Sequence, residues 1–598
     1  MNLIKFFNNI DFLLEKRDKI KLYLIFLGMI FASILELIGI GSIPVFSMVI
    51  LDIQILVKNS HGLITNDFIN NIGEKNFVLI SSIFIILVFF VKNVFLAFLH
   101  YFKSKFILSL KIKLTARLFD GYLYAPYLFH VNRNSSVLIR NLNDVILNSL
   151  RSVESFLNLL LELLVFVVMI FLLLKVDFKT TISIFIILVT FSVLFYSKVK
   201  KRLKKWGTEI QMLHAKELQT LNQNLGSIKE IKILRREDYQ SSNFKKIVSK
   251  IGFMSFYQGI MQSIPRLALE IIAIFFIVGI CFFYLQKGMN FEEIIPLISL
   301  FGIAAVRMIP SLNVITLSLN SIKFQSPAIK TLIQELKIVD NFIKNKIQKN
   351  SKNIKEKYLS NKKSLFLKDI DFSYDSKKIL NNISMQINFG QTIGIIGPSG
   401  SGKTTLLNII LGLIQPKKGD IKIDGSNLND HLDEWRQTIG YVPQDTYLLD
   451  ASIKNNIAFG VDDNEVCKKK LEKAINFSQN KEFIESLPAK IETFVGDRGV
   501  RISGGQKQRI GIARALYNDP DVLVLDEATS NLDIENENKI IQEISNNKKS
   551  MTVIIISHRK NTVKNCDNIF LMQAGKIKEL GNFEKIRNIY EDFFSKDN

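Results

Sequence analysis

Gly397-Pro398-Ser399-Gly400-Ser401-Gly402-Lys403-Thr404 decides how this chain is read. The stretch fits GxxxxGK[ST], a phosphate-binding loop. Ile393 to Ile396 predict a strand before it, and Thr405 to Leu411 predict a helix after it. Glycines permit unusual backbone angles, so successive N–H groups can turn inward around phosphate oxygens. The N-terminus of the following helix adds positive potential. Gly397, Pro398, Ser399, Gly400, Ser401, Gly402, Lys403, Thr404 and Thr405 are therefore the expected nucleotide phosphate contacts. Lys403 should reach the β- and γ-phosphates, and Thr404 should ligate Mg²⁺. The loop alone says only that a nucleotide binds.

The use of that nucleotide is written downstream. Val522-Leu523-Val524-Leu525-Asp526-Glu527 reads as a buried strand ending in two carboxylates. Asp526 is placed to hold Mg²⁺, and Glu527 to polarise a water as general base. Around this pair stand Tyr374, Tyr441-Val442-Pro443-Gln444, Ile502-Ser503-Gly504-Gly505-Gln506, Ser530-Asn531-Leu532-Asp533 and Ile556-Ser557-His558-Arg559. Singly, each has an ordinary explanation: a strand aromatic, a surface histidine, a solvated strand end. Their joint order and spacing do not. The set resembles the ATP-binding-cassette (ABC) family over residues 363–590. That resemblance implies roles. Ser503, Gly504, Gly505 and Gln506 form the signature, Tyr374 stacks on adenine, and Gln444 senses Mg²⁺. His558 contacts the γ-phosphate, and Asp533 closes the loop after the base. Asn531 departs from the pattern, which more often has alanine there.

At 598 residues the chain is too long for one core, so several domains are expected. Residues are 48% hydrophobic, with 46 phenylalanines, and the apolar runs are concentrated in the first half. The three cysteines, Cys281, Cys467 and Cys566, are too scattered for a metal site or a disulfide framework. The net charge of +22 is read as the cytoplasmic face of a membrane protein and not as a nucleic-acid surface. Lys198-Val199-Lys200-Lys201-Arg202 directly follows an apolar run, and a second lysine-rich stretch spans Lys344 to Lys363.

Six apolar segments are long enough to span, near 22–50, 77–102, 152–174, 180–197, 262–285 and 294–319; roughly 20 residues suffice. The long basic loops put both termini and the ATPase on the cytoplasmic side; the resemblance to bacterial exporters given below implies a bacterial inner membrane. The layout resembles that of type IV ABC exporters. This implies coupling helices at Tyr127 to Arg133 and at Asn222 to Ile228. The fold expected is therefore multi-domain: an all-α six-helix transmembrane domain (1–330), a linker (331–362), and an α/β phosphate-loop ABC ATPase domain (363–598). One cassette per chain, with the ATP site shared between a phosphate loop and a second signature, implies a homodimer.

Charges inside spanning segments are costly and usually functional. Lys92, Arg266 and Arg307 lie on three different segments, and arginine's planar fork suits phosphate. Internal pairing is the competing explanation for Arg266, with Glu270 at i,i+4. Ser263-Ile264-Pro265-Arg266-Leu267-Ala268-Leu269-Glu270 and Arg307-Met308-Ile309-Pro310-Ser311-Leu312-Asn313 resemble bacterial lipid-linked oligosaccharide flippases of the PglK type. That resemblance implies a cavity attracting a lipid-linked anionic substrate through its pyrophosphate. A general lipid or amphipathic-drug exporter is the alternative. An ATPase that only gates a partner is disfavoured because the catalytic motifs are intact. An importer is disfavoured because membrane and ATPase parts are fused.

Overall fold

The computed structural model describes residues 3–51, 73–176, 178–286, 291–352, 363–530, 532–546, 551–557 and 559–589. The chain divides into two compact units, Met1–Ala125 with Phe129–Asn353, and Pro126–Leu128 with Ile354–Asn598.

The first unit is helical: α1 (Leu3–Leu13), α2 (Lys16–Leu51), α3 (Glu74–Leu123), α4 (Tyr127–Val131, whose first two residues are assigned to the second unit), α5 (Ser135–Arg140), α6 (Ile146–Val176), α7 (Phe178–Gly226), α8 (Ile228–Ile233), α9 (Glu237–Gln286) and α10 (Phe291–Lys352). Among the described residues, five helical stretches are long and apolar enough to cross a membrane: Lys16–Ile43, Glu74–Leu123, Ser135–Lys175, Thr181–Gly226 and Glu237–Phe283. The sixth expected segment lies in α10, where the side chains of residues 291–301 are outside the described set.

Helical spacing builds the core of this unit. On α3, Phe106, Leu110, Leu114 and Leu118 recur every four residues and are buried. On α10, Ile329, Leu332, Leu336 and Val339 recur at three and four and are wholly buried in the same cluster. The opposite face of α3 exposes Ile80, Ile83, Phe84, Leu87 and Phe90, an apolar surface that suits lipid and not water. Ion pairs fasten the two helices where they run beyond the apolar span. Arg117 of α3 donates twice to Asp340 of α10, at 2.9 and 2.6 Å, and Arg133, in the turn after residue 131, grips Glu335 of α10 at 2.8 Å.

Three expectations change. The linker 331–362 begins later, because α10 continues through Lys352 and buries Leu332, Leu336 and Val339; residues 353–362 lie outside the described set. The first part of the lysine-rich stretch, through Lys352, belongs to this helix. The segment 222–228 is not one short helix. α7 runs through Gly226, breaks at Ser227 (φ −107°), and α8 follows at Ile228–Ile233. At 127–133, Pro126 keeps Ala125 out of helical geometry, so α3 stops and α4 starts afresh at Tyr127, ending at Val131.

Gly207 of α7 marks a close helix approach. A Cβ there would lie 1.9 Å from the Phe324 carbonyl oxygen of α10. Gly207→Ala is expected to destabilise the unit by about 1–3 kcal/mol, the usual cost of overpacking. A lowered thermal midpoint in detergent checks this; an unchanged midpoint contradicts the close approach.

The second unit is α/β. Strands β1 (Ser364–Tyr374), β2 (Lys377–Asn388), β4 (Lys418–Ile423) and β5 (Ser426–Asn427) form an antiparallel sheet in the order β2-β1-β4-β5. A second sheet has the order β10-β9-β3-β8-β7-β6, with β3 (Thr392–Ile396), β6 (Ile439–Val442), β7 (Val522–Asp526), β8 (Thr552–Ile556), β9 (Asn568–Gln573) and β10 (Lys576–Gly581). β6, β7, β8, β3 and β9 are parallel, and β3, β7 and β8 are buried along their whole length. Continuous apolar runs are what such doubly covered strands require. In open parallel sheets, ligands sit beyond the carboxyl ends of the strands. The ends of β3, β6, β7 and β8 carry the phosphate loop, Gln444, Asp526–Glu527 and Ser557–Arg559 respectively.

Candidate functional site

The loop after β3 leads into helix α11 (Lys403–Ile410). Gly397 has φ +151°, and a Cβ on it would lie 2.2 Å from the Met572 carbonyl oxygen of β9. Gly402 has φ +100° and would press on Leu380 at 2.8 Å. Both therefore have to be glycine. Lys403 is buried, and its ammonium donates to the carbonyls of Gly397 at 2.8 Å and Pro398 at 3.1 Å. Burial lowers its pKa, while Glu527 and Asp526 nearby oppose that shift. Pro398, Ser399 and Gly400 are exposed at the rim, as is Thr404, while Ser401 and Thr405 are buried beneath.

Asp526 ends β7 in a buried position, and Glu527 follows with φ +50°, the left-handed region that a side chain rarely adopts. The Glu527 N–H donates to the Ile556 carbonyl at 2.9 Å, so the neighbouring strand end holds this turn. Gln444 Nε2 donates to Glu527 Oε2 at 2.8 Å. Burial, then the Glu527 charge, pushes the Asp526 carboxyl up to about 6. The Tyr441 hydroxyl stands near enough to Asp526 to lower the carboxyl's pKa against that shift, and its own pKa is raised, chiefly by burial. The structure thus brings together Lys403, Gln444, Asp526 and Glu527. It adds Tyr441, which the sequence reading quoted only as part of a motif. The Asp526 carboxyl, the Thr404 hydroxyl and the Gln444 amide oxygen are hard oxygen donors of the kind Mg²⁺ takes. A buried carboxyl resisting ionisation beside a second one fits a site that a cation would neutralise.

Tyr374 ends β1, half-buried, with its ring edge-on to Phe372 at 4.9 Å. Ser503 and Gly504 are exposed at the start of helix α12 (Gly504–Leu516). The Ser503 hydroxyl accepts from Gln506 N–H at 3.3 Å, and Gln506 Oε1 accepts from Ser503 N–H at 2.9 Å. This capping box leaves the helix N-terminus, with Gly504 and Gly505, pointing outward. Asp533 caps α13 (Ile534–Asn546): the Asn536 side chain donates to it at 2.8 Å and the Asn536 N–H at 3.1 Å, so its pKa is lowered. His558 and Asn531 lie outside the described residues.

The cations of the membrane unit lie in three different surroundings. Lys92 is buried and pairs with buried Glu36 at 3.2 Å. Arg266 pairs with Glu270 at 2.9 Å on the exposed side of α9. Arg307 lies in α10, and its side chain is outside the described residues. Two of the three thus carry carboxylate partners. The Lys92–Glu36 pair escaped the sequence reading because its members lie on different helices.

Residues 380–530 match the ABC transporter family model. The chain is 28% identical over 560 residues to an ATP-dependent lipid A-core flippase of Desulfotalea psychrophila, covering 92% of this chain and 96% of that one. It is 39% identical over 250 residues to the heterocyst differentiation ATP-binding protein HepA of a Nostoc species, covering 41% of each. Its fold superposes on a bacterial Atm1-family ABC exporter with ATP bound, with a TM-score of 0.75 at 19% identity, over 96% of this chain and 98% of that one. The second unit is thus an ABC transporter ATPase domain, and the whole chain has the fold of an ABC exporter half-transporter. It is a membrane-spanning ATPase whose hydrolysis of ATP is coupled to transport.

Proposed function

We propose that this chain acts as a homodimer in a bacterial inner membrane and flips a lipid with an anionic, phosphate-bearing saccharide headgroup. The observation that carries this reading is the likeness to a lipid A-core flippase along nearly the full length of both chains. Gly397 to Thr405 hold the ATP phosphates, with Lys403 on the β- and γ-phosphates and Tyr374 against adenine. Thr404, Gln444 and Asp526 hold Mg²⁺, which would supply charge neutralisation on the phosphate oxygens. Glu527 takes the proton of the attacking water, and Gln444, bonded to it, orients its carboxylate. His558 contacts the γ-phosphate. Ser503, Gly504, Gly505 and Gln506 close the site of the second copy, and Asp533 lies in the loop between Glu527 and α13. Both termini and the ATPase face the cytoplasm.

On the membrane side, Arg307 is the cation proposed for the headgroup. No acidic residue stands within a helical turn of it in the sequence. Lys92 and Arg266 contribute field while paired to Glu36 and Glu270. That pairing favours a second reading, a general lipid or amphipath exporter, in which these cations are structural. Flipping of a fluorescent lipid-pyrophosphate oligosaccharide, compared with the same lipid lacking phosphate, separates the two. Arg307→Ala is expected to slow flipping of the phosphate-bearing lipid about tenfold or more while basal ATPase stays near wild type. That is the scale of a lost hydrogen bond to a charged group, ~1.5–3 kcal/mol. Arg307→Lys should restore only part of the rate. Equal flipping of both lipids by wild type and Arg307→Ala would remove the anionic-headgroup reading and leave the general exporter.

A further inference from the structure

One buried charge in the ATPase has no task in the chemistry above. Glu537, on α13, is 2% exposed. Arg559 Nη1 donates to one of its oxygens at 2.6 Å, and the Thr562 hydroxyl donates to the other. The same guanidinium reaches further. Nη2 donates to the Ser530 carbonyl at 2.5 Å, and Nη1 to the Leu532 carbonyl at 3.3 Å. Both carbonyls belong to the loop that leaves Glu527 and ends at Asp533. From the other side, buried Gln508 of α12 donates to the Ser530 hydroxyl at 3.2 Å. The Arg559 N–H donates to Ser557 Oγ at 3.0 Å, which fixes the backbone on both sides of position 558.

We propose that Arg559 is a positioning residue: with Gln508 it clamps the loop Ser530–Asp533 to the strand end that carries position 558. Glu527 and Asp533 are thereby set as one unit. The inference rests on the reading of Glu527 as the base. Its physical ground is the strain at Glu527. A residue held at φ +50° keeps that conformation only where its surroundings over-determine it. On the upstream side, Glu527 N–H is bonded to Ile556. On the downstream side, Ser530 N–H donates to the Glu527 carbonyl at 3.1 Å, and Arg559 holds the carbonyls of Ser530 and Leu532. The planar fork is what allows one side chain to neutralise Glu537 and span two carbonyls at once. An ammonium keeps the charge pair and loses the span.

The test is steady-state ATPase of the purified full chain over a range of ATP concentrations, with a thermal melt of each variant. Arg559→Lys is expected to melt near wild type. Its kcat should fall on the order of 10- to 100-fold, the effect of a small misplacement of reacting groups, with KM for ATP little changed. Arg559→Ala should lose both kcat and thermal midpoint. If Arg559→Lys restores kcat fully, the residue serves only as an ion pair and the proposal fails. Where Arg559→Lys does not fold, Gln508→Met frees Ser530 from the other side and should give the same kcat-selective loss; wild-type kcat in that variant overturns the clamp. Glu527→Gln assayed alongside separates the two readings. Turnover retained there and lost in Arg559→Lys refutes the base assignment alone, whereas the reverse refutes the clamp alone.

Discussion

Glu527→Gln is expected to lower ATP turnover by roughly 10²–10⁴-fold, the range of a general base, while ATP still binds. The substitution removes the proton acceptor and keeps the shape. Gln444, which donates to Glu527 Oε2, has an amide oxygen in place of a carboxylate oxygen to bond. Asp526 loses the neighbouring charge that helps push it up to about 6, so the proposed Mg²⁺ ligand ionises more readily. Nucleotide binding should hold or tighten, and the variant should accumulate ATP. Radiolabelled ATP retention and phosphate release, measured on the same preparation, check both halves. Turnover near wild type would assign the base elsewhere.

Lys403→Ala is expected to fail at the other end of the same site. Its ammonium is held over the loop by the Gly397 and Pro398 carbonyls, in a buried position facing two carboxylates. Removing it leaves Asp526 and Glu527 without the opposing cation at the place where a polyphosphate would bring further negative charge. ATPase should fall about 10²–10³-fold, the scale of a lost electrostatic clamp, and ATP affinity should fall with it. The pair of variants is thus diagnostic: Glu527→Gln binds and does not turn over, whereas Lys403→Ala binds poorly. Titration with a fluorescent ATP analogue distinguishes them. Wild-type affinity in Lys403→Ala would contradict the role given to this side chain.

The ATPase site is largely legible from sequence because its chemistry sits at strand ends. Val522 to Leu525 must be apolar to cross the sheet, so the change to Asp526–Glu527 marks where the chain leaves it. The same logic places Gln444 after β6 and Ser557–Arg559 after β8. Partners brought together by the sheet are not legible in this way. Nothing local in the sequence points Arg559 at Glu537, or Tyr441 at Asp526, because those contacts are set by which strands lie side by side. The membrane unit shows the same division. Arg266 and Glu270 are four residues apart, so their pairing is readable as a helix contact. Lys92 and Glu36 meet only because α2 and α3 pack together. The end of α10 is readable in part: Leu332, Leu336 and Val339 keep the three-and-four spacing that holds the helix in the core, while the lysines from Lys344 onward carry the helix on without an apolar face.

The central claim, that ATP hydrolysis here moves a lipid between leaflets, is tested most directly in proteoliposomes. The full chain is reconstituted with a fluorescent lipid-pyrophosphate oligosaccharide, and the fraction of headgroups protected from an impermeant quencher is followed after ATP is added. The account predicts ATP-dependent redistribution by the wild type, none by Glu527→Gln, and none with ADP. Redistribution at the same rate in Glu527→Gln, or robust ATPase with no lipid movement for either the phosphate-bearing or the phosphate-free lipid, would contradict it.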